Sequence, residues 1–367
     1  MPFYQLNISE VYKTWNFSER FPDHNELRAY MSHIDKTLDL RKDVAFNARV
    51  VDCSWDPAQA HWTVKTLQGH VAHTKYLFCA SGLLHRTYTP DFVGLKDYKG
   101  EVHHSGAWPA DFDGTGKKIA VIGAGATAVQ ITQELGKVAS EMTVFVRRPS
   151  YCLPMQQRKY TAEEQTSLKP FYGALFKEGR DSLAGFPISD RPEGSMFDAS
   201  VQEREARFDA GWKQGGFHFS LGGWPDPMMN PEANEIMYQY WRRRVCERLT
   251  DPAKQAIMAP EKKPYYFNTK RSPLEQDYYE VLNQENVTVH DLNAAPLQAF
   301  YEKGLIMADG SRHEFDAVAL ATGFDSYSGS MTQMGLKSKD GVDLKDIWGE
   351  SGVNSYLGMT VSGFPNM

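Results

Sequence analysis

The alternation of apolar and polar positions predicts one unit above all others. The apolar run Ile119–Ile122 meets Gly123-Ala124-Gly125-Ala126-Thr127-Ala128, and a helical pattern follows. Ala128, Val129, Ile131, Leu135 and Val138 are the expected buried face of that helix, and Met142–Val146 is a second apolar strand. Upstream, Asp23 precedes a helical pattern over Asn25–Leu40, with Leu27, Tyr30, Met31, Ile34 and Leu38 on one face. Val44–Cys53 and His61–Leu67 read as strands, and Gln68-Gly69 turns into a short third one. Lys75–Ala80 reads as a buried strand ending in Ala80-Ser81-Gly82.

The same order returns near the C-terminus. Val287–His290, Leu297–Glu302 and Gly304–Met307 read as strands, Asp309-Gly310 as a hairpin turn, and Phe315–Leu320 as a buried strand ending in Ala321-Thr322-Gly323. The two copies are an expected internal repeat of two dinucleotide-binding units. The second copy has its glycine turn at Gly123; the first copy's turn is expected upstream of Met1 and is not in this sequence. Between the copies, Ser150–Glu261 leaves the alternating pattern, with helices expected at Glu203–Trp212 and Ala233–Leu249. Arg242-Arg243-Arg244 reads as a solvated helix face.

Strand, glycine turn, helix, strand is the context that gives the GxGxxA pattern its meaning. Gly123 allows the tight turn, Gly125 lets a pyrophosphate approach the backbone, and Ala128 lets the helix sit close on the strand. The helix N-terminus offers free N–H groups to phosphate. An NAD site carries an acid about twenty residues after the glycines. Here the second strand runs into Arg147 and Arg148, which suit a 2′-phosphate, so the expected cofactor is NADP(H).

Composition narrows the class further. The 367 residues are 41% hydrophobic and 23% charged, and the mean hydropathy is −0.50, as in a water-soluble globular protein of two or three domains. A net charge of −6 argues against a general nucleic-acid binder. Cys53, Cys79, Cys152 and Cys246 show no metal-ligand spacing, so no metal is expected and a reducing, cytoplasmic setting is. No apolar run reaches the roughly 18 residues of a membrane span.

Tyr98-Lys99-Gly100-Glu101-Val102-His103-His104-Ser105-Gly106-Ala107-Trp108-Pro109 resembles the fingerprint of Baeyer–Villiger monooxygenases, with Tyr98 in place of the usual Phe. Gly100, His104, Trp108 and Pro109 match, and Trp108-Pro109 favours this branch over the related flavin-containing monooxygenases. The resemblance extends to Trp15–Pro22, to Lys270-Arg271, to Ala321-Thr322-Gly323-Phe324-Asp325, and to Tyr356-Leu357-Gly358 with Gly363–Asn366. It implies an α/β flavoprotein with two dinucleotide-binding, Rossmann-like domains, for FAD and NADP, and a helical insertion in the second.

The implied boundaries are 1–115 for a partial FAD domain with its linker, 116–325 for the NADP domain with an insertion at about 153–261, and 326–367 for a partial return. The family's first glycine turn is absent, so the FAD domain is expected to be incomplete and the chain to be cut at both ends. The resemblance implies that NADPH reduces FAD, and that one oxygen of O2 is inserted beside a ketone carbonyl to give an ester or lactone. Oxidation of nitrogen or sulfur in a soft nucleophile is the alternative, as is a non-catalytic NADP-binding fragment. By the same resemblance Arg271 is catalytic and Lys270 contacts the 2′-phosphate. If the pair is extended, the two side chains point to opposite faces. Gln130, Thr322, Gly323 and Phe324 join Gly123–Ala128 at the cofactors, and His104 is structural, joining two domains that move. Oligomeric state is left open.

Overall fold

The computed structural model describes residues 4–182, 185–188 and 191–367. Helices α1 (Ser9–Tyr12) and α2 (His24–Leu38) come first, then a meander of β1 (Val50–Asp56), β2 (His61–Thr66) and β3 (Val71–Thr74). β4 (Glu101–His104) leads to β5 (Lys118–Ile122), α3 (Ala126–Leu135) and β6 (Glu141–Val146). The insertion runs from β7 (Leu153–Pro154) through α4 (Ala162–Leu168), α5 (Tyr172–Asp181), α6 (Val201–Gln214), α7 (His218–Leu221), α8 (Pro231–Cys246) and α9 (Pro252–Met258) to β8 (Leu274–Glu275). Then follow α10 (Tyr278–Leu282), β9 (Val287–Asp291), the meander β10 (Leu297–Tyr301), β11 (Gly304–Met307) and β12 (Arg312–Glu314), β13 (Ala317–Leu320) and α11 (Leu344–Ser351).

The chain forms two compact units. The larger comprises the segment up to Leu40, Phe92–His103 and Ala110–Ala321. Its sheet has the order β4-β13-β5-β6-β9, with β13, β5, β6 and β9 parallel, the α/β arrangement expected of a dinucleotide-binding domain. β5, β6 and β13 read as continuous apolar runs because both their faces are covered. On one face Ile122, Phe145, Val318 and Leu320 pack with Phe300, Leu305 and Met307 of the second meander. On α3, Ala128 and Val129 are buried as expected, but Val138 is exposed and lies beyond the helix end. Thr132 and Gln133 are buried instead, because the Gln133 side chain accepts from the backbone N–H groups of Gln276 (2.8 Å) and Asp277 (3.2 Å). An apolar-periodicity rule does not register a buried amide whose hydrogen bonds are made far along the chain.

The insertion extends beyond the expected limit at 261. β7 pairs with β8 at Leu153↔Leu274, so its neck closes a dozen residues later, after Lys270-Arg271. Arg248 clasps that neck: its guanidinium donates to both carboxylate oxygens of the buried Glu275 (2.5 and 3.0 Å) and to Glu280 (2.7 Å). Of the expected solvated face, Arg243 and Arg244 pair with Glu205 and Glu247, whereas Arg242 is half-buried and donates from Nε to Ala259 O (2.9 Å). Helices α4, α5, α7 and α9 add to the two expected; α4 carries a capping box from Thr161 to Glu164.

Of residues 1–115, the segment up to Leu40 groups with this unit, as do Phe92–His103 and the residues from Ala110, whereas Arg41–Asp91 and His104–Pro109 do not. Backbone hydrogen bonds join Arg20 N–H to Arg158 O (2.8 Å) and Tyr160 N–H to Ser18 O (2.8 Å), and Gln165 bonds both backbone groups of Phe17. On α2, Asp23 caps the N-terminus and Tyr30 and Ile34 are buried, whereas Met31 is exposed.

The smaller unit comprises Arg41–Asp91, His104–Pro109 and Thr322–Met367. Its core is Cys53, Trp62, Leu336, Leu344, Trp348 and Phe364. Trp62 stacks on Phe364 and donates from Nε1 to Pro365 O (2.8 Å), which seats the Gly363–Asn366 motif on the first meander. The first strand begins at Val50, six residues later than expected, because the chain turns at Phe46-Asn47, with Asn47 at φ +53°, which breaks the extended run. Lys75–Ala80 is not a strand, and Phe78 is 88% exposed. A strand needs a neighbour for its ladder, and among the described residues none runs alongside this segment.

Candidate functional site

The glycine turn connects β5 to α3. Gly123 has φ +126°, and a Cβ there would sit 2.4 Å from the carbonyl oxygen of Ala321 on the neighbouring β13 connection. Glycine is therefore required by the fold at this position. Gly125 differs: it has φ −78°, caps α3, and a Cβ on it would meet nothing within 4 Å. The space over Gly125 is open. No side chain caps this helix, and Val129 N–H is the first to find an intrahelical carbonyl, on Gly125. The preceding N–H groups are left for an anion. Ala128 is fully buried, which brings α3 close to the sheet. Ala126 and Gln130 are exposed and Thr127 is half-buried.

Ile122 and Phe145 are register partners, so β6 ends beside the glycine turn. Arg147 and Arg148 follow, both exposed, without a carboxylate partner among the described residues. Lys270 joins them from the insertion's return. Its ammonium is held below the ordinary lysine range, first by burial and then by the charges of Arg148 and Arg147. Three cations from two distant segments thus share one place at the C-terminal edge of the parallel sheet. This concentration of positive charge is unfavourable until an anion fills it.

Two tyrosines position the cluster. Tyr151 and Tyr265 stack at 4.2 Å; Tyr151 Oη donates to Tyr265 O, and Tyr265 Oη donates to Pro149 O, both at 2.7 Å. Lys270 Nζ lies over the Tyr265 ring at 4.5 Å. Neither tyrosine belongs to a recognisable motif, and the pairing of residues 114 apart leaves no trace in local sequence.

Lys270 and Arg271 lie in a loop rather than a strand, and each meets a different aromatic ring. The guanidinium of Arg271 lies 5.4 Å from the centroid of Phe217, whereas Lys270 lies over the Tyr265 ring. Arg271 is exposed and has no carboxylate partner among the described residues.

The fingerprint residues divide between two local clusters. In the larger unit, Tyr98 Oη donates to Phe315 O (2.8 Å), and burial, then the charges of Asp316 and Glu101, push its phenol up to about 12. A Cβ at Gly100 would lie 2.1 Å from Tyr98 Oη and 2.7 Å from Asp316 O, so the pair is a structural clip for β4 against β13. In the smaller unit, Gly106 N–H donates to His104 Nδ1 (3.0 Å). The proton of the neutral ring is therefore on Nε2, which points to Tyr88 O (3.3 Å) and Thr322 Oγ1 (3.4 Å). Thr322 Oγ1 donates to Tyr88 O (2.5 Å), Tyr88 N–H to Gly323 O (2.9 Å), and Phe324 meets the His104 ring edge-on at 5.8 Å. His104, Thr322, Gly323 and Phe324 are thus one knot among chain segments that pass between the units; Trp108 and Pro109 follow it, half-buried.

Comparison with known proteins finds relatives that align with the whole of this chain. A family model described as flavin-binding monooxygenase-like matches residues 7–163. The FAD-binding monooxygenase acrE of Aspergillus aculeatus is 42% identical over 368 residues, all of this chain and 62% of that protein. Cyclopentanone 1,2-monooxygenase of a Comamonas species is 35% identical over 365 residues, 99% of this chain and 66% of that protein. Oxidized steroid monooxygenase bound to NADP superimposes with a TM-score of 0.91 at 31% identity, covering all of this chain and 69% of that one. The chain spans less than two thirds of the length of the first two relatives.

Proposed function

The chain belongs to the family of Baeyer–Villiger and flavin-containing monooxygenases, and on that premise we propose that it binds NADPH and, with FAD, oxygenates a ketone to an ester or lactone. The observation that carries the cofactor assignment is the meeting of Lys270 with Arg147 and Arg148 beside the Gly123–Ala128 turn. The residues fit NADP: a turn left open over Gly125 takes the pyrophosphate, and three cations without carboxylate partners among the described residues take the 2′-phosphate. FAD, when bound, supplies the activation of O2 that no side chain can.

The remaining roles belong to this chain's own residues. Ala126, Thr127 and Ala128 present backbone N–H groups to the pyrophosphate, and Gln130 lies two positions further along the same helix. Lys270 and the two arginines discriminate NADPH from NADH by the phosphate alone. Arg271 supplies a fixed positive charge where negative charge develops on the ketone's carbonyl oxygen. The knot of His104, Thr322, Gly323 and Phe324 holds the segments that lead between the NADP and FAD domains.

Titration of the purified chain with NADPH, NADH and FAD tests the cofactor reading. Saturable NADPH binding at least tenfold tighter than NADH is expected; equal affinities overturn it. Supplying FAD and assaying a cyclic ketone beside a thioether tests the chemistry. Ester formation is expected, and oxygen transfer to sulfur alone assigns the chain to the soft-nucleophile branch.

A further inference from the structure

Next to the Lys270-Arg271 loop lies a cleft that none of these roles uses. Arg20, Phe21, Tyr160, Gln214, Gly216 and Phe217 are among its lining residues. Its floor is the turn after α6, where Gly215 and Gly216 both hold positive φ, +71° and +62°. A Cβ at Gly216 would lie 3.3 Å from the Phe21 ring, a tight approach, and at ordinary contact distance, 3.7 Å, from Arg20 Nη2, so both Phe21 and Arg20 lie close over this glycine.

Arg20 is half-buried and firmly placed. Nη1 donates to the carbonyls of Gln214 (2.7 Å) and Gln156 (3.3 Å), and the guanidinium lies 5.3 Å from the Phe21 centroid. These partners are neutral. The titratable groups that bear on it are Tyr160 and the like-charged Arg158, and no carboxylate pairs with it among the described residues. Arginine stays charged at every accessible pH, and two of its nitrogens still have donors to offer. Phe217, the next lining residue, carries the guanidinium of Arg271 on its ring. The dipeptide Gly216-Phe217 is therefore touched by two guanidiniums, neither with a carboxylate partner among the described residues.

We propose that this cleft selects a ketone that carries a carboxylate: Arg20 grips the carboxylate, the hydrocarbon body lies against Phe21 and Phe217, and the carbonyl is directed toward Arg271. The proposal rests on the role given to Arg271 above. A neutral ketone forgoes a charge-assisted hydrogen bond that the site is built to make, and sites of that kind discriminate strongly.

The test is calorimetric binding to the NADPH-loaded chain, without turnover, using 4-oxo-4-phenylbutanoate, its methyl ester and acetate. The acid is expected to bind at least tenfold tighter than the ester (about 1.4 kcal/mol). Arg20→Gln should abolish that preference, Arg20→Lys should keep part of it, and NADPH affinity should report that both variants are folded. Phe217→Ala should weaken acid and ester alike. Equal binding of acid and ester by the unaltered chain overturns the proposal, as does a preference that survives Arg20→Gln. Acetate binding as tightly as the keto acid overturns it too, since the site would then be blind to the substrate's body. Ester formation is scored separately. No turnover with the preference intact fails the monooxygenase reading and not the cleft; turnover of neutral ketones without the preference fails the cleft alone.

Discussion

Lys270 is a cation placed among cations, and that placement has a measurable consequence. Burial and the two arginines favour its neutral form, so its pKa in the free protein lies below the ordinary lysine value. A phosphate beside it favours the charged form and raises the pKa again. Binding of NADPH is therefore linked to protonation: affinity is full below the free-state pKa and falls as pH rises through the interval up to the bound-state value. Titrations at rising alkaline pH should show NADPH affinity falling while NADH affinity stays level. Arg147→Ala should weaken NADPH by about tenfold or more and NADH little, because only the phosphorylated cofactor makes the charge-assisted contact. Equal losses would move the role to Arg148. Arg271→Ala, in protein supplied with FAD, should leave NADPH affinity largely intact and lower ester formation about a hundred- to a thousand-fold, or roughly 3–4 kcal/mol. Stopped-flow reduction measured beside product formation separates the two effects.

At the scale of elements, the two glycines of one turn answer to different masters. Gly123→Ala should destabilise the chain and lower its thermal midpoint, since the added methyl meets the Ala321 carbonyl of the β13 connection and the backbone lies at φ +126°. Gly125→Ala should fold with a nearly unchanged midpoint, because its Cβ meets nothing, yet should lose NADPH binding, because the pyrophosphate needs that space. Retained binding in Gly125→Ala would show that the phosphates lie elsewhere. The neck of the insertion is held by charge. Arg248→Ala would leave Glu275, which is 1% exposed, as a buried carboxylate without its partner. That change should cost about 3 kcal/mol, the low end of the range for breaking a buried pair because Glu280 and part of Arg248 face solvent. Denaturant unfolding monitored by far-UV circular dichroism gives the number.

Across the whole molecule, the division into two units with separate cores predicts unfolding in two steps rather than one. Every residue assigned to NADPH lies in the larger unit. Ligand binding stabilises only the unit whose folded state it recognises, so NADPH should raise one calorimetric transition and leave the other in place. A single transition that shifts as a whole would mean that the units unfold as one.

What the sequence determined by itself was local. The strand, turn and helix of 118–135 were legible because a glycine pattern and two apolar runs lie within a few dozen residues, where backbone sterics and burial act directly. The arginines at the end of β6 were legible for the same reason. So was the second meander, whose strands pair with their immediate neighbours in the chain. The fate of Lys75–Ala80 could not be read, since an apolar segment becomes a strand only where another strand offers a ladder. The burial of Gln133 could not be read either, because its partners lie 143 and 144 residues away. Only the tertiary structure brought Lys270 to Arg147 and Arg148, through the Tyr151–Tyr265 clasp. It alone set Arg20 and Arg271 against Gly216 and Phe217. Charges and rings so far apart in the chain interact through distances of a few ångströms in space, and those distances are properties of the packed fold, not of any stretch of sequence.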